Sequence, residues 1–480
     1  MTDVRNDTVH ALYLDGRWHH GGQPLSVTNP ATSEVFARVA TVDRTGVREA
    51  IDGAAAAWPG WRALSGKERG ALLHRIAGVI ARRADEIAHT ITLENGKPLA
   101  QARAEVGMTV DHLQWFAEEA RRAYGRVVPP QATGKRHLVI QQPIGVVGAI
   151  APWNFPLVLA VRKVAPALAA GCPVVLKPAA ATPLSAVHFA EAAHEARLPA
   201  GVFQLVAGSS REIAAEMFAH PACRKITFTG STEVGRDLIR LAADRVAKLS
   251  LELGGNAPVI VFDDADLDQA INGALVTKFR NTGQSCIAAN RIYVQRGLFD
   301  SFVAGFTEKT KSLAIGNGLD DGVEIGPLRD ATAVDAALAY VEDARRLGAT
   351  VLCGGKPVDG PGYFFEPTVL VDVGESARCL SEEAFAPIAP ILPFDDEAEV
   401  IERANRTRYG LAAYLFTTNL GRAWRVAEAL EAGTVGVNDA VPTTSQCPFG
   451  GVKESGVGRE LGSEGLEAFL ETKHIAFAGI

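Results

Sequence analysis

Positive charge is not in excess in this chain. Its 480 residues carry 48 Lys plus Arg against 55 Asp plus Glu, a net charge of -7, which excludes the basic field needed to hold nucleic acid or an anionic lipid surface. Neither partner is expected. Cysteine is scarce as well: residues 172, 223, 286, 353, 379 and 447 show no paired metal-ligand spacing, and a chain this long gains little from disulfide staples. Free thiols in a reducing cytoplasm and no metal site are expected. No low-complexity tract or fixed-period repeat is visible, and the opening MTDVRNDTVHALYL has no apolar core of signal-peptide length. The one stretch that mimics a membrane span, 143–161, contains Pro143, Pro152, Asn154 and Pro156 and ends against Arg162 and Lys163. It reads as a buried strand, a turn and the start of a helix.

What is present is globular: 47% apolar and 21% charged residues, in a chain too long for one ordinary core. From about residue 143, β-branched runs alternate with amphipathic stretches, the pattern of parallel strands joined by crossover helices. Strands are predicted at 144–150, 173–176, 203–206 and 225–228, with helices at 157–170, 185–195 and 211–219. This is an α/β fold with a doubly wound, Rossmann-type nucleotide-binding layout. A second α/β unit is predicted from near Leu251 to about residue 440. The segment 125–142, with Val127-Val128 and Leu138-Val139-Ile140 among Gly, Pro and polar residues, resembles a β hairpin arm. An unpaired arm calls for a partner, and a second copy of the chain is the natural one. The domains are thus expected to be a dinucleotide-binding unit over 1–124 and 142–251 and a catalytic unit over 252–440. An oligomerisation arm over 125–141, with the C-terminal tail 460–480, completes them.

Three short segments carry chemistry. Cys286 sits among small and polar residues, whereas Cys172 and Cys353 sit in apolar runs. A lone cysteine is more often buried and inert, so its neighbours must decide. Glu252 is embedded between apolar residues at the end of a strand, beside Gly254-Gly255. An apolar site raises a carboxylate's basicity and suits it to take a proton from water or thiol; the bland alternative is a carboxylate capping the Gly-Gly turn. Asn154, bracketed by Pro152 and Pro156 after a strand, is a neutral donor suited to a developing oxyanion, though alone it is only a tight loop.

Taken in order, PWNFP (152–156), FTGSTEVG (228–235), LELGG (251–255), GQSC (283–286) and PFGG (448–451) resemble the signature of the aldehyde dehydrogenase superfamily over nearly the whole chain. Cys286 lies 34 residues after Glu252, the family's usual spacing. The resemblance implies Cys286 as nucleophile, Glu252 as general base, and Asn154 with the Cys286 main-chain amide as oxyanion donors. It also implies a proton exit through Lys163 and Glu460, which on the bland reading are solvated surface charges. For a nicotinamide cofactor it implies Gly230 and Ser231 near the phosphates and Trp153 and Lys177 near the adenosine ribose. Glu383 and Phe385 would lie at the nicotinamide end, with Leu253 lining the same site. The glycine turn at Gly230 opens a helix where backbone amides meet a pyrophosphate, although Gly-rich turns before helices are frequent.

Departures from the family pattern are informative. Ala180 stands where strictly NAD-using relatives often hold a glutamate, so with Lys177 retained a 2'-phosphate meets a cation and no like charge. NADP is expected to be accepted, and even preferred, alongside NAD. Ala386 replaces a usual glycine, one methyl near the nicotinamide end. Ala288 replaces a second cysteine of some relatives, which excludes a local disulfide on Cys286. The segments 141–156, 278–286, 252–268 and 447–460 most resemble succinate-semialdehyde dehydrogenases. That resemblance implies Arg162 and Arg280 as a clamp on the substrate's distal carboxylate and a hydroxyl contact from Thr443-Thr444, assigned to Thr444. Alternative aldehydes are glutarate semialdehyde and hydroxy, aliphatic or aromatic ones. A cysteine hydrolase or acyltransferase is the rival class; hydrolases usually pair Cys with His, and none of the 11 histidines lies in these motifs. The expected partners are a small-molecule aldehyde and copies of the chain, as homodimer or homotetramer.

Overall fold

The computed structural model describes residues 9–479; the opening residues 1–8 read above for a leader, and residue 480 of the tail, lie outside them. Two parallel sheets dominate. The first has the strand order Gly456–Val457, Lys248–Glu252, Cys223–Thr229, Val146–Ile150, Val174–Lys177, Phe203–Leu205, Leu12–Leu14 and Arg17–His19. Its five inner strands from Lys248–Glu252 to Phe203–Leu205 run parallel, and short antiparallel strands close both edges. The chain winds outward in both directions from Val146–Ile150, so the switch point falls between that strand and Cys223–Thr229. Open α/β sheets bind ligands at such a crevice, beyond the strands' carboxyl ends.

The second sheet has the order Thr350–Cys353, Thr368–Val371, Ile388–Phe394, Ala289–Gln295, Ala257–Val261, Ala412–Phe416 and Thr434–Val437, and all but its first strand run parallel. Strand Ala257–Val261 is buried at every residue, as a parallel strand covered on both faces must be, which is why it reads as an unbroken apolar run. The predicted strands and helices of the first sheet all appear, with no end displaced by more than two residues. Val146–Ile150 starts two residues late because Lys135–Pro143 forms its own strand and Gly145, at φ 132, turns the chain between them.

Helix Val158–Ala170 is buried all round, including Arg162 and Lys163. At 13 residues it is a core helix, and among the described residues no helix is long and apolar enough to cross a membrane. The arm is richer than a hairpin: Arg126–Val128 pairs with Lys135–Pro143, which pairs along its whole length with Leu470–Ala478. The C-terminal tail therefore returns to the arm as a strand, a long-range pairing with no local signal. Gly456–Val457 likewise returns to the first sheet beside Glu252.

Candidate active site

Loops after four parallel strands of the first sheet meet at the switch point. Asn154 follows Val146–Ile150, Lys177 ends Val174–Lys177, Gly230 and Ser231 follow Cys223–Thr229, and Glu252 ends Lys248–Glu252. All of these but Glu252 border a groove of about 710 Å³ lined by, among others, Trp153, Lys177, Ala180, Ser231, Leu253 and Cys286. Asn154, Gly230, Glu383 and Phe385 line it too. Every residue assigned to the cofactor from sequence therefore falls on one cavity, with the thiol beside them. The fit is sterically specific: a Cβ on Gly230 would stand 2.3 Å from the Phe228 ring, and one on Gly254 2.5 Å from the Glu383 carboxylate. Ser231 caps helix Thr232–Ala243 by accepting from Val234 N, leaving the first-turn amides at the groove's edge. The Trp153 indole packs edge-on against Phe385 at 5.6 Å, and its main-chain carbonyl accepts from Thr182 Oγ1. Lys177 and Ala180 hold the other end, and Glu383 is the only carboxylate among the lining residues.

Cys286 lies between the 3-10 turn Arg280–Gly283 and strand Ala289–Gln295. A Cβ on Gly255 would meet the Cys286 carbonyl at 2.2 Å, so the second glycine of LELGG is what lets the two segments touch. Burial pushes the thiol up to about 12, the Glu383 and Glu252 carboxylates add to it, and Arg162 opposes them. Burial thus disfavours the thiolate. Glu252 is 3% exposed, neither oxygen has a hydrogen-bond partner among the described residues, and burial, then the neighbouring Glu460, hold it well above the ordinary carboxylate range. Since its oxygens accept nothing from the Gly-Gly turn, the capping alternative falls away. Gly450 of the PFGG turn lies against the same carboxylate, 2.9 Å from Oε1 to a would-be Cβ.

Asn154 is 4% exposed, and its Nδ2 donates to the Gln284 carbonyl at 3.1 Å, two residues before the thiol. Lys163 and Glu460 are not solvated surface charges. Both are buried and paired at 2.5 Å, with Lys163 also donating to Thr229 Oγ1, and the Glu460 charge acts on Glu252. Arg162 is 7% exposed and faces Phe449 at 4.9 Å. Arg280 faces Phe155 at 5.1 Å and touches Met108 Sδ. Neither guanidinium takes part in a salt bridge with a described residue, and burial lowers both. The two adjacent threonines differ: the Thr444 hydroxyl donates to Gln446 at 2.5 Å, whereas the Thr443 hydroxyl is buried and unpartnered among the described residues.

Sequence reasoning missed several neighbours. His112 is 2% exposed, and burial and then Arg162 hold it well below the usual imidazole range; it lies mid-helix with no motif around it. Arg329 stacks on Trp153 at 5.2 Å and lines the groove, brought there by the second sheet's connections. Ala386, which the sequence did single out, is buried, and its carbonyl fills the space a Cβ on Gly283 would need, at 2.4 Å.

The aldehyde dehydrogenase family model matches residues 18–475. The chain is 49% identical to a glutarate-semialdehyde dehydrogenase of Pseudomonas aeruginosa over 98% of this chain and 97% of that one. It is 48% identical to the succinate-semialdehyde dehydrogenase of Escherichia coli whose name carries NADP(+), over 96% of each. A solved structure described as an E. coli NADP dependent enzyme superposes with a TM-score of 0.97 at 47% identity, covering both chains fully. With these matches spanning the chain, this protein belongs to the aldehyde dehydrogenase family.

Proposed function

We propose that the chain oxidises an aldehyde with a distal carboxylate, succinate semialdehyde first, to the dicarboxylic acid, using NADP and NAD. The observation that carries this reading is a pair of guanidinium groups with no salt bridge among the described residues: Arg162, buried and within electrostatic reach of the Cys286 thiol, and Arg280, half-buried against the Phe155 ring. A buried cation left unpaired is costly, and a substrate carboxylate offers each guanidinium its missing bidentate partner. Glutarate semialdehyde, one methylene longer, is the second reading, because relatives named for each substrate are equally similar.

Cys286 sulfur attacks the aldehyde carbon, its proton passing to Glu252, and the carbonyl oxygen takes hydrogen bonds from the Asn154 amide and the Cys286 main-chain N–H. A bound nicotinamide supplies the hydride acceptor that converts this adduct to a thioester, and the residues bordering the groove are those that would hold it. Once Glu252 has released that proton toward Glu460 and Lys163, it takes a proton from the water that attacks the thioester carbon; the C–S bond breaks, the sulfur leaves as thiolate and the acid departs. Lys163 and Glu460 carry the proton away. At the Lys177 end of the groove no carboxylate opposes a 2'-phosphate, which favours NADP being accepted. The six unpaired cysteines fit the reducing compartment expected from sequence. The arm, with Tyr124 and Val127 more than 70% exposed, is assigned to docking against a second copy.

The test is a kcat/KM panel of C2 to C6 aldehydes and semialdehydes with both cofactors, followed at 340 nm without CoA. One of the two semialdehydes should exceed butanal by about tenfold or more. Equal use of butanal removes the distal-carboxylate reading, and NAD turnover with no NADP turnover removes the cofactor reading.

A further inference from the structure

The loop that carries Asn154 is gripped by groups that the reaction does not touch. Lys97 and Glu105 form an ion pair at 2.6 Å with both side chains fully buried. Such a pair adds little net stability over apolar residues of the same volume, because two charges lose their solvation. Its contacts run to the active site. Lys97 Nζ donates to the main-chain carbonyl of Asn154 at 2.8 Å and sits 3.8 Å from the Phe155 ring centre. Glu105 Oε1 accepts from Leu157 N at 3.0 Å and Val158 N at 3.3 Å, at the start of the helix that bears Arg162 and Lys163. The pair therefore holds the Asn154 loop at both ends.

A third group meets the same carbonyl from the nucleophile's side. Asn281 Nδ2 donates to Asn154 O at 2.9 Å and to Gln284 O at 3.1 Å, and Gln284 O is also the acceptor for Asn154 Nδ2. Asn281 and Thr282 occupy the left-handed region, at φ 51 and 58. That conformation is strained for a β-branched threonine and persists only where its surroundings hold it. Here Asn281 N donates to Gln101 Oε1 at 2.8 Å and Thr282 Oγ1 to Gly326 O at 3.0 Å.

We infer that Lys97, Glu105 and Asn281 form a clamp that positions the Asn154 amide against the Cys286 turn, making them positioning residues for attack on the aldehyde. The inference rests on the reading of Asn154 as oxyanion donor given above. A displacement of the donor by about an ångström costs about 100-fold in rate, and it costs substrate binding little, because the oxyanion exists only after attack.

The variants K97M, K97M/E105Q and N281G separate a clamp from an ion pair that only supports the fold. K97M strands a buried carboxylate and lowers Tm. K97M/E105Q removes both charges, keeps an acceptor for Leu157 and Val158, and recovers most of that Tm. N281G keeps the left-handed backbone and disturbs no charge. In all three, kcat and the 340 nm burst rate should fall about 10- to 100-fold for succinate semialdehyde and butanal alike, with KM within about threefold. If kcat recovers with Tm in K97M/E105Q, or stays near wild type in N281G, the clamp is overturned. Asn154→Ala run alongside distinguishes the failures: a large loss there beside active clamp variants sinks the clamp alone, whereas wild-type activity in Asn154→Ala sinks the oxyanion reading beneath it.

Discussion

Arg162 and Lys163 are consecutive on one buried helix, yet their charges are treated oppositely. Successive helical side chains diverge by about 100°, as 3.6 residues per turn requires, so one side of the helix meets Glu460 and the other meets the Phe449 ring. On the Lys163 side the cation is paired, hydrogen-bonded to Thr229, and coupled through Glu460 to Glu252. On the Arg162 side no described carboxylate is within salt-bridge distance: the neighbours are an aromatic ring, a buried histidine and a second arginine, and Glu460, Cys286 and Glu252 act on the guanidinium only from longer range. In the proposed function the paired charge at Lys163 serves proton exit, and the unpaired one at Arg162 waits for the substrate's carboxylate.

The hardest blow to that contrast falls where both sides converge. Cys286→Ala should abolish aldehyde-dependent absorbance at 340 nm. Glu252→Gln should cut steady-state kcat by about 10²- to 10⁴-fold, since the stranded thioester cannot be hydrolysed. Steady turnover near wild type in Glu252→Gln would assign the base to some other group. The unpaired side is next: Arg162→Ala and Arg280→Ala should each lower kcat/KM for succinate semialdehyde about 10- to 100-fold, the worth of a charged hydrogen bond. Butanal should be nearly indifferent, and equal losses on both substrates would make the arginines structural.

The paired side answers to pH. Glu252 acts as a base only when ionised, so kcat/KM rises with pH through its pKa, and its raised value puts the acid limb above the ordinary carboxylate range. Glu460→Gln removes a negative neighbour and should move that limb to lower pH by about one unit. Lys163→Met removes a positive one and should move it upward. A shift in the same direction for both variants would break the assignment of opposite signs. At the far end of the groove, Ala180→Glu should lower kcat/KM for NADP by about tenfold or more through like-charge repulsion, with NAD spared.

How far the sequence revealed this arrangement follows from how local each signal is. Strand Ala257–Val261 and helix Val158–Ala170 were legible because burial on every face leaves an unbroken apolar record in adjacent residues. The reacting trio was legible through its glycines and prolines, which are fixed by close approaches such as Gly255 to the Cys286 carbonyl. Strand Leu470–Ala478 was not, because its partner lies more than 300 residues away. Neither was the burial of Lys163 and Glu460: nothing in a lone lysine or glutamate distinguishes a solvated charge from one whose counterion arrives from the other end of the chain. His112, Lys97 and Glu105 escaped for the same reason.

The finest discrimination concerns two adjacent hydroxyls. Thr444 already donates to Gln446 at 2.5 Å, so its replacement by valine removes a bond within the loop and nothing toward the cavity. Thr443 has a buried hydroxyl with no partner, the condition that made the arginines informative, now in a neutral group. A neutral hydrogen bond is worth about 0.5–1.5 kcal/mol, so Thr443→Val should raise KM for succinate semialdehyde about two- to tenfold. Thr444→Val should leave it unchanged. If Thr444→Val carries the KM effect instead, the loop shifts register when substrate binds, and the rule that an unpartnered buried polar atom points to the ligand fails at this position.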